Sequence, residues 1–174
     1  MIEHFKIYVG TYGKYNSGSI EGAWIDLSGL SKDEFYAKCK DLHKDEHDPE
    51  YMFQDWDSIP DKLIGESWIS DLVFDIIDLD LEDDRLEALL DFIESDMYYS
   101  KFIDNDIDDI MEAFEESYYG VYDSIEDYTD QLFDDLYLHD VPKHIIHYID
   151  YKAFYHDNKD NYHLSRNGHL FNLR

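Results

Sequence analysis

The 174-residue chain carries 42 acids against 14 bases, a formal charge of −28, which excludes the basic face that ordinary nucleic-acid binding needs to displace counterions from phosphates. Its 44% hydrophobic and 17% aromatic content, with 16 Tyr and 10 Phe, supplies a buried core and excludes disorder through lack of apolar residues. Cys39 stands alone, which excludes an intrachain disulfide and points to the cytoplasm, and no stretch approaches the roughly 18 apolar residues of a membrane span.

The opening MIEHFKIYVGTYG lacks the basic run and long apolar stretch of a secretion signal. KIYVGTY and IEGAWIDL are β-prone runs separated by the turn-rich GKYNSGS, and together they predict a hairpin. Ser31 and Glu34 form a capping box, and Phe35, Cys39 and Leu42 continue at helical spacing to about His43. KDEHDPE reads as a polar loop and MFQDW as a further strand, with Pro60 a boundary. A small α+β domain is thus expected at residues 1–60, followed by a central acidic helical domain at 61–104 and a C-terminal α+β domain at 105–174.

Each helix of the middle repeats one design. In SWISDLVFDIIDLD, Trp68, Ile69, Leu72, Val73, Ile76 and Ile77 predict an apolar face, and Asp71, Asp75 and Asp78 fall at i, i+4, i+7 on another. In DDRLEALLDFIESDM the inward set is Leu86, Leu89, Leu90, Ile93 and Met97, and the outward set Glu87, Asp91 and Glu94. In DIDDIMEAFEES, Ile107, Ile110, Met111 and Phe114 are apolar, while Asp108, Glu112 and Glu115 are not. After a break at Tyr118-Tyr119-Gly120, Ser124 and Asp127 cap SIEDYTDQLFDDL, where Ile125, Tyr128, Leu132 and Leu136 face in and Glu126, Asp130 and Asp134 face out. The tail holds HIIHYIDYKAF and then YHLSRNGHLFNL, whose Asn167-Gly168 is a strong hairpin signal. The fold class is α+β.

The charge is a block. Residues 71–135 hold 24 acids and only Arg85 and Lys101 as bases, whereas residues 136–174 hold 4 acids and 5 bases. Carboxylates three and four apart on a helix repel by roughly 0.2–0.5 kcal/mol per pair. Acids at helix C-termini oppose the macrodipole, and Asp is a poor interior helix former. A face selected only for solubility would intersperse lysines. With an acid about every 2.7 residues, a helix rising 1.5 Å per residue presents one negative charge per roughly 4 Å, close to the 3.4 Å phosphate spacing of a nucleic-acid strand. The partner expected is therefore basic, and the candidate partner-binding groups are the twelve outward acids named above.

DNDIDDIMEAFE also sets Asp104, Asp106, Asp108, Glu112 and Glu115 at positions 1, 3, 5, 9 and 12 of an EF-hand, but Asp109 occupies the position where the turn requires Gly, and the apolar spacing says helix. His144, His147 and Asp150 lie at i, i+3, i+6, in a region that holds six of the nine histidines, and read as polar surface ahead of a metal site. HExxH, GxSxG, P-loop and dinucleotide motifs are absent from the sequence. The expectation is a non-enzyme with no cofactor and no metal, with Trp24, Trp56 and Trp68 as core anchors.

IYVGTYGKYNSGSIEGAWIDL resembles the opening strand, turn and second strand of the ArdA-type antirestriction proteins, through Tyr15, Asn16, Gly18, Gly22, Trp24, Ile25 and Asp26. EYMFQDWD is similar to that family's acidic-aromatic segment, and GVYDSIEDYTDQL and YIDYKAFYHD resemble its later blocks at Asp127-Tyr128 and at Tyr148 to Tyr151, Ala153, Phe154 and Asp157. The resemblance implies an elongated chain of α+β, helical and α+β domains, a homodimer joined through the C-terminal domain, and a mimic of duplex DNA. Such a mimic inhibits type I restriction-modification enzymes by occupying the DNA-binding groove of the methyltransferase core. An acidic scaffold or chaperone for a basic DNA-binding protein shares the charge argument and is the alternative.

Overall fold

The computed structural model describes residues 5–95 and 106–173. β1 (Lys6–Thr11) lies between β2 (Ala23–Asp26) and β3 (Tyr51–Asp57) in an antiparallel sheet, with Ile7 opposite Ile25 and Val9 opposite Phe53. Alternation along the strands turns Ile7, Val9, Ile25 and Phe53 to one face, where α2 (Lys32–Leu42) buries them under Phe35 and Cys39; the Phe35 and Phe53 rings are 5.8 Å apart. The turn between β1 and β2 contains one helical turn, α1 (Tyr12–Asn16), because the Thr11 hydroxyl accepts from Lys14 N at 3.2 Å. Gly22 follows from packing, since a Cβ there would collide with the Val9 carbonyl. The capping box on α2 is complete: Glu34 N donates to Ser31 Oγ at 3.3 Å, and Ser31 N donates to Glu34 Oε2 at 2.9 Å.

The sequence pattern fails locally after Pro60. Trp68 and Ile69 are not the first turn of a helix but β5 (Trp68–Ile69), paired with β4 (Ile64–Gly65), and α3 (Leu72–Asp78) begins three residues later. Phe53 N donates to Glu66 O at 2.7 Å and Ser70 N to Leu63 O at 2.8 Å, so contacts from outside the segment decide against the helix. Trp24 and Trp68 are likewise not core anchors: they are 48% and 49% exposed, and only Trp56 is half-buried, its Nε1–H donating to Asp61 Oδ1 at 3.0 Å.

α4 (Asp83–Glu94) buries Ala88, Leu89, Phe92 and Ile93, and α5 (Ile107–Ser117) buries Ile110 and Phe114. α4 has no basic residue in its last turn; Lys62 supplies the charge from a distant loop, donating to Glu94 O at 2.6 Å and Ser95 O at 2.8 Å. Met97, Asp104 and the expected boundary at 104/105 lie outside the described residues.

The Tyr118-Tyr119-Gly120 break is in fact β6 (Tyr118–Val121), which leaves α5 directly. It completes a sheet of order β6-β8-β7 with β7 (Tyr162–Leu164) and β8 (His169–Asn172). The β7–β8 hairpin turns through Arg166-Asn167-Gly168, with Gly168 N donating to Ser165 O at 3.2 Å. Asn167 keeps a negative φ and Gly168 alone, at φ +87°, adopts the left-handed region, which is the three-residue loop with a bulge and not the two-residue turn. α6 (Ile125–Tyr137) starts on Ser124, whose Oγ accepts from Asp127 N at 3.0 Å. Its inner face is aromatic: Tyr128 packs against Tyr119, Tyr122 and Tyr162, and Phe133 packs against Tyr151 and Phe154 of the tail, where α7 (Lys143–Ile146), α8 (Tyr151–Asn158) and a 3₁₀ turn (Lys159–Asn161) lie.

One contiguous buried cluster runs from Phe5 through α2, α3, α4 and α5 to Phe171, where the rings of Phe92, Phe114 and Phe171 meet at 5.8–6.4 Å. The class is α+β. No helix among the described residues is long and apolar enough to cross a membrane.

Candidate functional site

The buried stripe of each central helix dictates where its acids go, since residues a half-turn away face water. Of the twelve outward acids, Asp71, Asp78, Glu94, Asp108, Glu112, Glu115, Glu126 and Asp134 are exposed, and Asp75, Glu87, Asp91 and Asp130 are half-buried at the margins of the helix contacts. None is in the core.

Three neighbourhoods emerge. On α3, Asp71 is the N-cap residue yet makes no capping bond, because its carboxylate pairs with Lys32 of α2. The Asp75 carboxyl is pushed above its ordinary value by burial and then by the charges of Asp71, Asp78 and Asp106. Asp106 is the N-cap of α5 and accepts from Asp109 N at 3.1 Å, and its charge is among those that act on Asp75 of α3.

The second neighbourhood joins α4, α5 and the terminal sheet. Glu87 lies 3.3 Å from His169 Nε2, and the other nitrogen of this buried ring shares a hydrogen bond of 3.1 Å with the Tyr118 hydroxyl. Asp91 accepts from Asn167 Nδ2 at 3.1 Å, which docks the β7–β8 turn onto α4. Glu115 pairs with Arg85. The Tyr118 hydroxyl is raised chiefly by burial; the Arg85 charge opposes this, and those of Asp84, Asp91 and Glu87 add to it.

On α6, Asp130 is raised by burial and then by Glu126, Asp127 and Asp134, and its Oδ1 is buried with no partner among the described residues. Asp134 accepts from the Tyr151 hydroxyl at 2.6 Å, tying α6 to α8. Among the described residues, the side chains of Asp78, Glu94, Asp108, Glu112 and Glu126 make no salt bridge or hydrogen bond. Exposed carboxylates of this kind can accept from lysine and arginine.

The braces Lys32, Arg85, Asn167 and His169 were not read from the sequence. Arg85 carried a signal, as a rare base in the acidic block; His169 did not, standing 82 residues from Glu87. The EF-hand spacing dissolves: from Asp106 onward the segment is a capped helix. His144 and His147 are exposed, and Asp150 caps α8 by accepting from Ala153 N at 3.1 Å. No group of three or more His, Cys, Asp or Glu among the described residues is placed to hold a metal ion.

Comparison with known families finds that the family model described as "Antirestriction protein (ArdA)" matches residues 7–171. No curated protein matches the chain.

Proposed function

The chain belongs to the ArdA antirestriction protein family, and from that premise we propose that it inhibits type I restriction-modification enzymes, in the cytoplasm, by presenting phosphate-like carboxylates to their DNA-binding groove. The observation that carries this reading is the spacing of acids three and four residues apart on the central helices, Asp71, Asp75 and Asp78 at the start of and along α3 and Asp108, Glu112 and Glu115 along α5. Like charges held this close raise the energy of the folded state and are relieved when a basic partner replaces water. The enzyme's Lys and Arg side chains, spaced for phosphates, would meet exposed acids such as Asp78, Asp108 and Glu112. Carboxylates imitate the backbone and carry no base-edge pattern, so one inhibitor serves against enzymes of different sequence specificity.

Self-association is part of the same proposal. Leu136, Tyr137, Ile145 and Tyr148 are 57%, 56%, 43% and 85% exposed on the near-neutral C-terminal part, where two copies escape the repulsion of their acidic blocks. The test is to add the protein to a purified type I methyltransferase core bound to its cognate duplex. Stoichiometric displacement of the duplex, weakening steeply as salt rises, is expected. A ternary complex that retains the duplex defeats the proposal.

A further inference from the structure

We propose that the open face of the β2-β1-β3 sheet is an arginine-docking surface, built on Trp24 and Tyr8, for an arginine-bearing protein partner. The register sets Tyr8 opposite Trp24 on β2 and opposite Asp55 on β3, and sets Lys6 opposite Asp26 and Asp57. Directly opposed residues share a face, so these six side chains all point away from Ile7, Val9 and Ile25, which α2 covers. Among the described residues nothing covers their face: Trp24 is 48% exposed, and Asp26, Asp55 and Asp57 are exposed.

The aromatic pair is already in place. The Tyr8 hydroxyl donates to the Ile20 carbonyl at 3.1 Å, which holds its ring down, and Trp24 meets that ring edge-on with centroids 5.6 Å apart at 74°. Such a platform loses little freedom on binding. At the β2 edge Trp24 also borders an open recess of about 480 Å³, on the α2 side of the sheet, lined by Ala23 and Ile25 and by Ala37, Lys38, Asp41 and Leu42 of α2.

Charge decides the occupant. Among the described residues three acids face one lysine on this surface, and a chain at −28 repels acidic partners, phosphates and anionic lipid alike. The aromatic ring then selects among cations. A guanidinium is planar and weakly hydrated, so it stacks on an indole and still forks to a carboxylate; an ammonium does neither as well. Asp26 sits two residues along β2 from Trp24, about 7 Å away, and its carboxylate is positioned by accepting from Ser28 N at 2.9 Å. This face is separate from the helical acids and does not depend on which enzyme they engage.

The test is fluorescence anisotropy of labelled deca-arginine and deca-lysine titrated with the full chain at about 0.15 M salt. The wild type should bind deca-arginine about two- to fivefold more tightly than Trp24→Leu does, with deca-lysine affinity equal for both. Trp68→Leu, which removes the other half-exposed indole, should leave both affinities unchanged. Trp24→Thr, a strand-forming residue without a ring, repeats the measurement should the leucine variant not fold. Deca-arginine binding that is the same with and without the Trp24 ring overturns the proposal, as does a wild type that does not distinguish the two peptides.

Discussion

Arg85 on α4 forms an ion pair with Glu115 on α5 while its guanidinium carbon lies 4.8 Å from the Phe114 ring centroid and 5.7 Å from that of Tyr118. Two neighbouring acidic helices are thereby joined by a cation that packs on aromatic surface. Arg85→Ala should destabilise by about 1–2 kcal/mol, from the lost ring contacts and ion pair together. Arg85→Lys should recover only part of it, because an ammonium cannot lie flat on the rings. Urea midpoints of the two variants decide; an alanine variant as stable as wild type refutes the brace.

Asp75 and Asp130 hold protons more tightly in the folded state than when unfolded. For a raised carboxyl, ionisation opposes folding: the penalty is complete above the raised folded-state pKa and fades as pH falls to the ordinary value of 3.8. Asp75→Asn and Asp130→Asn should each raise the melting temperature at pH 7 by about 1–3 °C, with the gain shrinking toward pH 4. A lower melting temperature at pH 7 would show that these carboxylates are needed where they stand.

Replacing Asp78, Glu94, Asp108 and Glu112 by their amides removes a third of the proposed contact acids, and among the described residues none of the four is engaged in a salt bridge. Thermal stability should rise while inhibition falls by at least about tenfold, a loss of roughly 1.4 kcal/mol of binding. Moving the same number of acids to other exposed positions at constant charge should be nearly as damaging. An acidic scaffold for a basic protein would tolerate the second change, so titration of a type I enzyme with both variants separates the two readings.

Ile145 and Tyr148, three residues apart, are both exposed on the near-neutral tail. Tyr148→Asp with Ile145→Asp should convert a dimer to a monomer in sedimentation at micromolar concentration without changing the melting of the isolated chain by more than about 2 °C. A wild type that already sediments as a monomer removes the self-association proposal.

Local chemistry was legible. The capping box of Ser31 and Glu34, the Ser124 cap and the inward set Ile110 and Phe114 are each written within a few residues, so periodicity and cap spacing identify them. The outward acids follow from the same period, as the complement of what is buried. Trp68-Ile69 and Tyr118-Tyr119 misled because their conformation is set from elsewhere: Phe53 N reaches Glu66 O, and Tyr118 pairs with Phe171, 53 residues on. Aromatic character likewise suggested burial for Trp24, whereas the sheet register turns it outward on a face that α2 does not cover.

By itself the sequence determined the net charge, the alternation of apolar and acidic stripes, and the capped helix starts at Ser31 and Ser124, because these depend on composition and on separations of three or four residues. Tertiary structure alone decided which carboxylates stay free. Lys32 takes Asp71, Arg85 takes Glu115, His169 takes Glu87 and Asn167 takes Asp91, through packing across separations of 30 to 82 residues. Such pairings are chosen by how helices and sheets fit around a common core, and no local period encodes that fit.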